Sequence, residues 1–134
     1  MNVIIAGVGG QGNVFLASIL AEAIEGKVKF AKIFGEAQRK GSVSCHLRVG
    51  DMPSPVIPYG QADILALMNK DEEQRNQIFL KSDAKIVFES DNMKLLAKLT
   101  KLMNLDKEKI IERLKARRNS DANIKKFLMA YEES

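Results

Sequence analysis

Val3-Ile4-Ile5-Ala6-Gly7-Val8-Gly9-Gly10-Gln11-Gly12, run directly into Asn13-Val14-Phe15-Leu16-Ala17-Ser18-Ile19-Leu20-Ala21, is the stretch on which the fold turns. Residues 3–7 are wholly apolar, as in a strand covered on both faces in the middle of a parallel sheet. Glycines follow at once, and then Val14, Leu16, Ala17, Leu20, Ala21 and Ile24 recur at helical spacing. Strand, glycine turn, helix is the opening of a Rossmann-like α/β unit, and Gly7 to Gly12 satisfies G-x-G-x-x-G in that context. Two readings of the glycines stay open. They let a ligand phosphate approach the bare amides of a helix start, or they make a tight turn that packs helix on sheet with no ligand at all.

Working outward, Gly26 stands where a helix C-terminal glycine belongs, and Lys27 to Phe34 reads as a second strand with an exposed edge. Gly35 to Gly41 is polar and glycine-bounded, hence a loop. Ser42 to Gly50 alternates cleanly: Val43, Cys45, Leu47 and Val49 point one way, and Ser42, Ser44, His46 and Arg48 the other. On that polar face His46, the lone histidine, is expected half-exposed and structural, while Cys45 is expected buried and unreactive. Pro53, Pro55 and Pro58 make residues 51–60 a rigid connection. Ala62 to Met68 is a buried strand, 71–80 a helix begun by Asp71, and Lys85 to Glu89 the last strand. Helices follow over roughly 91–104, 106–118 capped by Asp106, and 121–132 begun by Asp121. The expectation is an α/β three-layer sandwich: a mostly parallel sheet of about five strands, helices on both faces and a helical C-terminal region.

Composition narrows the function. The 134 residues suit one domain, spanning 1–134, and 46% hydrophobic with 28% charged residues is a globular balance. A single cysteine excludes an internal disulfide and a cysteine-held zinc or iron–sulfur site within the chain. No apolar run approaches the roughly 18 residues of a membrane span, and the N-terminus lacks a signal-peptide pattern; a cytoplasmic protein is expected. The net charge is +4, and basic residues outnumber acidic ones from Lys94 to Lys126, which reads as a solvated helix face rather than a nucleic-acid surface, since aromatics are missing there before Phe127 and Tyr131. A complete dehydrogenase does not fit: Glu36 falls past the position of a ribose-binding acid, and no room is left for a substrate domain. No nucleophile, base and orienting group are grouped, so no residue is assigned as catalytic and none as a metal ligand.

The segments taken together resemble one family. Gly7 to Gly12, Ala37-Gln38-Arg39-Lys40-Gly41-Ser42-Val43, Leu47-Arg48-Val49-Gly50, Ser54-Pro55, Ile57-Pro58 and Ala62-Asp63-Ile64-Leu65 fall in the order and spacing of the gamma domain of 2-oxoacid:ferredoxin oxidoreductases, including the beta subunit of indolepyruvate ferredoxin oxidoreductase. The likeness covers about residues 1–90. Asn92 to Leu96 and Asn123 to Tyr131 are similar to that family's tail, so a central segment of some tens of residues is missing here. Asn13, Glu36 and Lys40 also depart from the family pattern, all at the presumed functional edge.

The resemblance implies a non-catalytic subunit of an oxygen-sensitive enzyme that decarboxylates a 2-oxoacid, forms an acyl-CoA and passes two electrons to ferredoxin. Thiamine diphosphate, magnesium and iron–sulfur clusters would reside on other chains, leaving this one inactive alone. Its expected partners are the thiamine-dependent catalytic subunits, with ferredoxin met only indirectly; exposed apolar surface also makes a homo-oligomer the expectation for the isolated chain. The residues carried over as a site for coenzyme A or a neighbouring subunit are Gly9, Gly10, Gln11, Gly12 and Asn13, with Arg39 and Ser42 beside them. The alternative is a stand-alone nucleotide-binding or regulatory module on the same fold that has lost the enzyme role.

Overall fold

A computed structural model of the chain describes residues 1–34 and 41–134. Five strands form one sheet: β1 (Asn2–Val8), β2 (Val28–Phe34), β3 (Ser42–Val49), β4 (Ala62–Leu67) and β5 (Leu80–Phe88), in the spatial order β2-β3-β1-β4-β5. β1, β4 and β5 run parallel, while β3 is antiparallel to both β1 and β2. Four strands therefore share one direction and β3 alone opposes them, so the sheet is mostly but not wholly parallel. The reversal fits the chain length: seven residues separate the end of β2 from the start of β3, fewer than the roughly a dozen that a parallel crossover needs.

The registers decide which side chains share a face. Ile5 stands between Cys45 and Ala66, and this row joins Val3, Leu47 and Ile64 beneath the helices. Ile4, Ala6, Leu65 and Leu67 project from the other face, against Ile57. The first face is covered by α1 (Asn13–Ala23), α3 (Asn92–Leu102), α4 (Lys107–Lys115) and α5 (Ser120–Glu133), with α4 lying on α1 and α5 on α3. Leu16, Ile19 and Leu20 of α1, Leu95, Leu96 and Leu99 of α3, and Phe127 of α5 are completely buried there. Each contributes about 1.5–3 kcal/mol.

The second face is thinner than a full helical layer. It is roofed by the proline-bearing segment after β3 and by short turns: two 3₁₀ turns, Lys70–Glu72 and Gln77–Phe79, flanking the single-turn α2 (Glu73–Asn76). The helix expected over 71–80 is thus broken into three pieces, and β5 begins at Leu80, well before Lys85. The cause is that this segment must supply both a buried Glu72 and the start of an edge strand, which one straight helix does not allow. A register shift lies between the Ala62 and Ile64 pairings of β5, beside the Lys81–Asp63 ion pair at 2.7 Å.

Helix starts follow capping chemistry. Asp91 accepts from the Met93 and Lys94 amides at 2.9 and 3.2 Å, and Asp106 from the Glu108 amide at 2.9 Å. Asp121 is not a cap: α5 starts one residue before it, after Asn119 at φ +56°, and Asp121 lies in the first turn. The basic C-terminal helices are in part internally paired. Lys98 meets Glu89, Lys109 meets Glu25, Arg117 meets Glu22 and Lys126 meets Asp91, while Lys101 and Lys107 sit over Tyr131. Among the described residues no helix is long and apolar enough to cross a membrane.

Candidate functional site

Val8, the last residue of β1, pairs with Ser42, the first of β3, so the glycine turn and the start of β3 share one rim of the sheet. The turn runs through exposed Gly9 and Gly10. Gly10 and Gly12 both have φ +88°, which L side chains rarely adopt. The Gly9 amide donates to the Gly41 carbonyl at 2.5 Å and the Gln11 amide to the Val8 carbonyl at 3.2 Å, stitching the turn to its own strand and to the approach to β3.

Gln11 has a structural task. Its Oε1 accepts from the Val8 amide at 2.8 Å and its Nε2 donates to the Met68 carbonyl at 2.9 Å, bridging the ends of β1 and β4. Open α/β sheets commonly seat ligands in a crevice where neighbouring strands lead to opposite sides. β1 leads to β2 on one side while β4 leads to β5 on the other, and between their ends lies the Gln11 carboxamide. Gly7 makes this fit possible, since a Cβ there would stand 2.9 Å from Gln11 Oε1 and 3.3 Å from Met68 Cβ.

Gly12 serves packing as well. A Cβ at Gly12 would come within 2.5 Å of Asn92 Nδ2, so the first residue of α3 leans directly on the start of α1. Asn13 is buried, and its Nδ2 donates to the Val43 carbonyl at 2.9 Å. Helix α1 begins at Asn13 after Gly12 as its N-cap, with no side-chain cap hydrogen bond and no acidic residue in its first turn to meet its positive dipole end. Gly9 to Asn13 are therefore brought together at one rim. Ser42 is beside them in register, but its hydroxyl donates beneath the sheet to Glu72 Oε2 at 2.9 Å. Arg39 and the departures Glu36 and Lys40 lie outside the described residues.

The face of β3 that the sequence marks as polar holds a buried network. His46 is not half-exposed; it is fully buried, because the proline-bearing segment folds over it. Its Nδ1 accepts from the Ile57 amide at 3.0 Å, and its ring meets Phe79 edge to face, centroids 4.9 Å apart. Burial, aided by the nearby Arg48 charge, lowers its pKa to about 4. Arg48 donates to Asn2 Oδ1 and to the Ser54 carbonyl, both at 3.1 Å. Glu72, 4% exposed, faces Arg75 at 3.4 Å and accepts from Ser42. Sequence reasoning missed Glu72 and Arg75. Their i,i+3 spacing was available as a signal, as were four polar residues alternating on a strand with partners on both sides. On the apolar face, burial pushes the Cys45 thiol up to about 11, against a smaller opposing effect of Lys32.

These residues do not fit a cysteine-held iron–sulfur cluster. A cluster needs several thiolates, and the one cysteine is packed in the core with its proton held. Among the described residues no three His, Cys, Asp or Glu side chains are grouped to hold a metal ion. What the rim offers is backbone: a protruding pair of glycines and an uncapped helix start.

Residues 2–119 match the family model described as Pyruvate ferredoxin/flavodoxin oxidoreductase. An indolepyruvate oxidoreductase subunit IorB from Archaeoglobus fulgidus is 37% identical over 90 residues, 65% of this chain and 45% of that protein. The chain thus spans less than half the length of that relative. The keto/oxoacid ferredoxin oxidoreductase gamma subunit from Geobacter sulfurreducens has the same fold, with TM-score 0.80 at 19% identity over 98% of this chain and 96% of that one. A 2-oxoglutarate:ferredoxin oxidoreductase from Magnetococcus marinus, solved with 2-oxoglutarate, coenzyme A and succinyl-CoA bound, matches at TM-score 0.78 and 16% identity over 99% of this chain and 30% of its own.

Proposed function

The chain belongs to the pyruvate ferredoxin/flavodoxin oxidoreductase family, and from that premise we propose that it is a non-catalytic, gamma-type subunit of a cytoplasmic 2-oxoacid ferredoxin oxidoreductase. Its task is to dock catalytic subunits through the glycine rim. Thiamine diphosphate and iron–sulfur clusters belong to those partners, where they supply decarboxylation and electron transfer. The chain's own residues hold the rim in shape. Gln11 locks the ends of β1 and β4, Gly41 anchors Gly9, and Asn13 ties α1 to β3.

The observation that carries this reading is the division of labour at the rim. The polar side chains of Gln11, Asn13 and Ser42 are each bonded within the fold, while Gly9 and Gly10 stand exposed with no side chain to obstruct a neighbour. Such a surface suits a partner's backbone, or the phosphate of a coenzyme A shared with a partner, better than an autonomous nucleotide pocket. Affinity purification of the tagged chain from its native host tests this. Recovery of a thiamine-dependent, cluster-bearing subunit supports the reading. Its consistent absence, together with micromolar binding of NAD or ATP by the isolated chain in calorimetry, overturns it in favour of a stand-alone nucleotide module.

A further inference from the structure

A small pocket of about 80 Å³ lies on the sheet face opposite α1. Ser42, Ser44 and His46 of β3 form one wall; Arg75 and Phe79 close it from the turns around α2. His46 is fully buried, and its Nε2 has no hydrogen-bond partner among the described residues. The tautomer is fixed by the fold. Because Nδ1 accepts the Ile57 amide hydrogen, the proton of the neutral ring sits on Nε2, which is therefore a buried donor without an acceptor. Native proteins rarely leave such a group unmatched.

The charges around the pocket are paired, although Glu72 Oε1 and Arg75 Nε make no hydrogen bond among the described residues. Glu72 and Arg75 face each other at 3.4 Å, and Arg48 is bonded to Asn2 and to the Ser54 carbonyl. Among the described residues the opposed charges of Glu72 and Arg75 balance, so an anionic guest would have to compete with Glu72 for Arg75 and leave a buried carboxylate unpaired, which is strongly unfavourable. The volume equals roughly two or three waters at about 30 Å³ each, enough for a group of a few heavy atoms. Phe79 and Ile33 line it with hydrocarbon that suits methyl or methylene flanks. We propose that this pocket binds the neutral carbonyl group of a small molecule, an amide or related carbonyl, whose oxygen accepts from His46 Nε2 while its apolar flanks pack on Phe79 and Ile33.

The test uses the full chain, ¹⁵N-labelled, observed near pH 7 through the long-range imidazole proton–nitrogen correlations of its one histidine. N-methylacetamide is the probe and sodium acetate the charged isostere. Expected are a protonated Nε2, a saturable shift of that nitrogen on adding N-methylacetamide, and binding about tenfold tighter than acetate. Ser44→Leu, which fills the pocket with a larger apolar side chain, abolishes the shift. Three results would overturn the proposal without any variant: a proton on Nδ1, no saturable shift because the pocket holds solvent only, or acetate binding as well as the amide.

Discussion

Replacing Gly12 with alanine isolates what the last glycine of the turn does. At φ +88° an L side chain carries left-handed strain of about 1–2 kcal/mol. The new Cβ would also stand 2.5 Å from Asn92 Nδ2 and 3.2 Å from Asn92 Cγ, so the carboxamide must leave its rotamer at roughly 0.5–1.5 kcal/mol. The expected loss is about 1.5–3.5 kcal/mol. Gly10 provides the internal control: it has the same φ, and a Cβ added there would meet nothing within 4 Å, so Gly10→Ala reports the strain alone. Urea unfolding of the wild type, both alanine variants and Gly12→Ala in an Asn92→Ala background gives the separation. With a urea slope of about 2 kcal/mol per molar, the middle of the usual range, Gly12→Ala should lower the midpoint by about 1–2 M, more than Gly10→Ala does. Removing the Asn92 carboxamide should bring the two glycine positions level. If Gly12→Ala costs no more than Gly10→Ala, the close approach of α3 to α1 is not what demands glycine there.

Gln11→Ala removes both bridging hydrogen bonds and leaves the Val8 amide and the Met68 carbonyl unmatched, a loss of about 2–3 kcal/mol in urea unfolding. His46 makes stability pH-dependent. Its pKa is about 4 in the folded chain against an ordinary value near 6.5, so the unfolded state takes the proton first, and stability present above pH 6.5 falls by about 3 kcal/mol as pH drops towards 4. Arg48 on the same strand and the Arg75–Glu72 pair across the pocket are the charges that face it, and a His46→Phe variant should flatten that part of the curve. Asp91→Ala removes a cap bonded to two amides and should cost about 1 kcal/mol, whereas Asp121→Ala, touching only the α5 dipole, should cost about 0.3–1 kcal/mol; thermal unfolding ranks the two.

Much of this architecture is legible in residue order because local chemistry and tertiary demand coincide. The apolar run before the glycines becomes the central strand β1, and the alternation from Ser42 to Val49 becomes β3 with Cys45 and Leu47 facing the helices. Asp91 and Asp106 announce their helices because capping is satisfied within three residues. The failures have a common origin in contacts between distant segments. His46 reads as half-exposed on a polar strand face; what buries it is a proline-bearing segment whose Ile57 amide seeks its Nδ1. Residues 71–80 carry helix-forming residues, yet the burial of Glu72 against Ser42, thirty positions earlier in the chain, divides them into short turns. At the rim, G-x-G-x-x-G spacing is visible at once, but the motif does not reveal that Gln11 fills the gap between β1 and β4, because its partner Met68 lies 57 residues away.

Hydrogen–deuterium exchange on the chain, alone and mixed with any catalytic subunit that co-purifies with it, bears most directly on the proposed docking role of the rim. Protection should appear at the backbone amides of residues 9–13 and around Gly41, and leave the exposed face of α4 and α5 unchanged. Protection confined to those helices, with the glycine turn exchanging as freely as before, would contradict it.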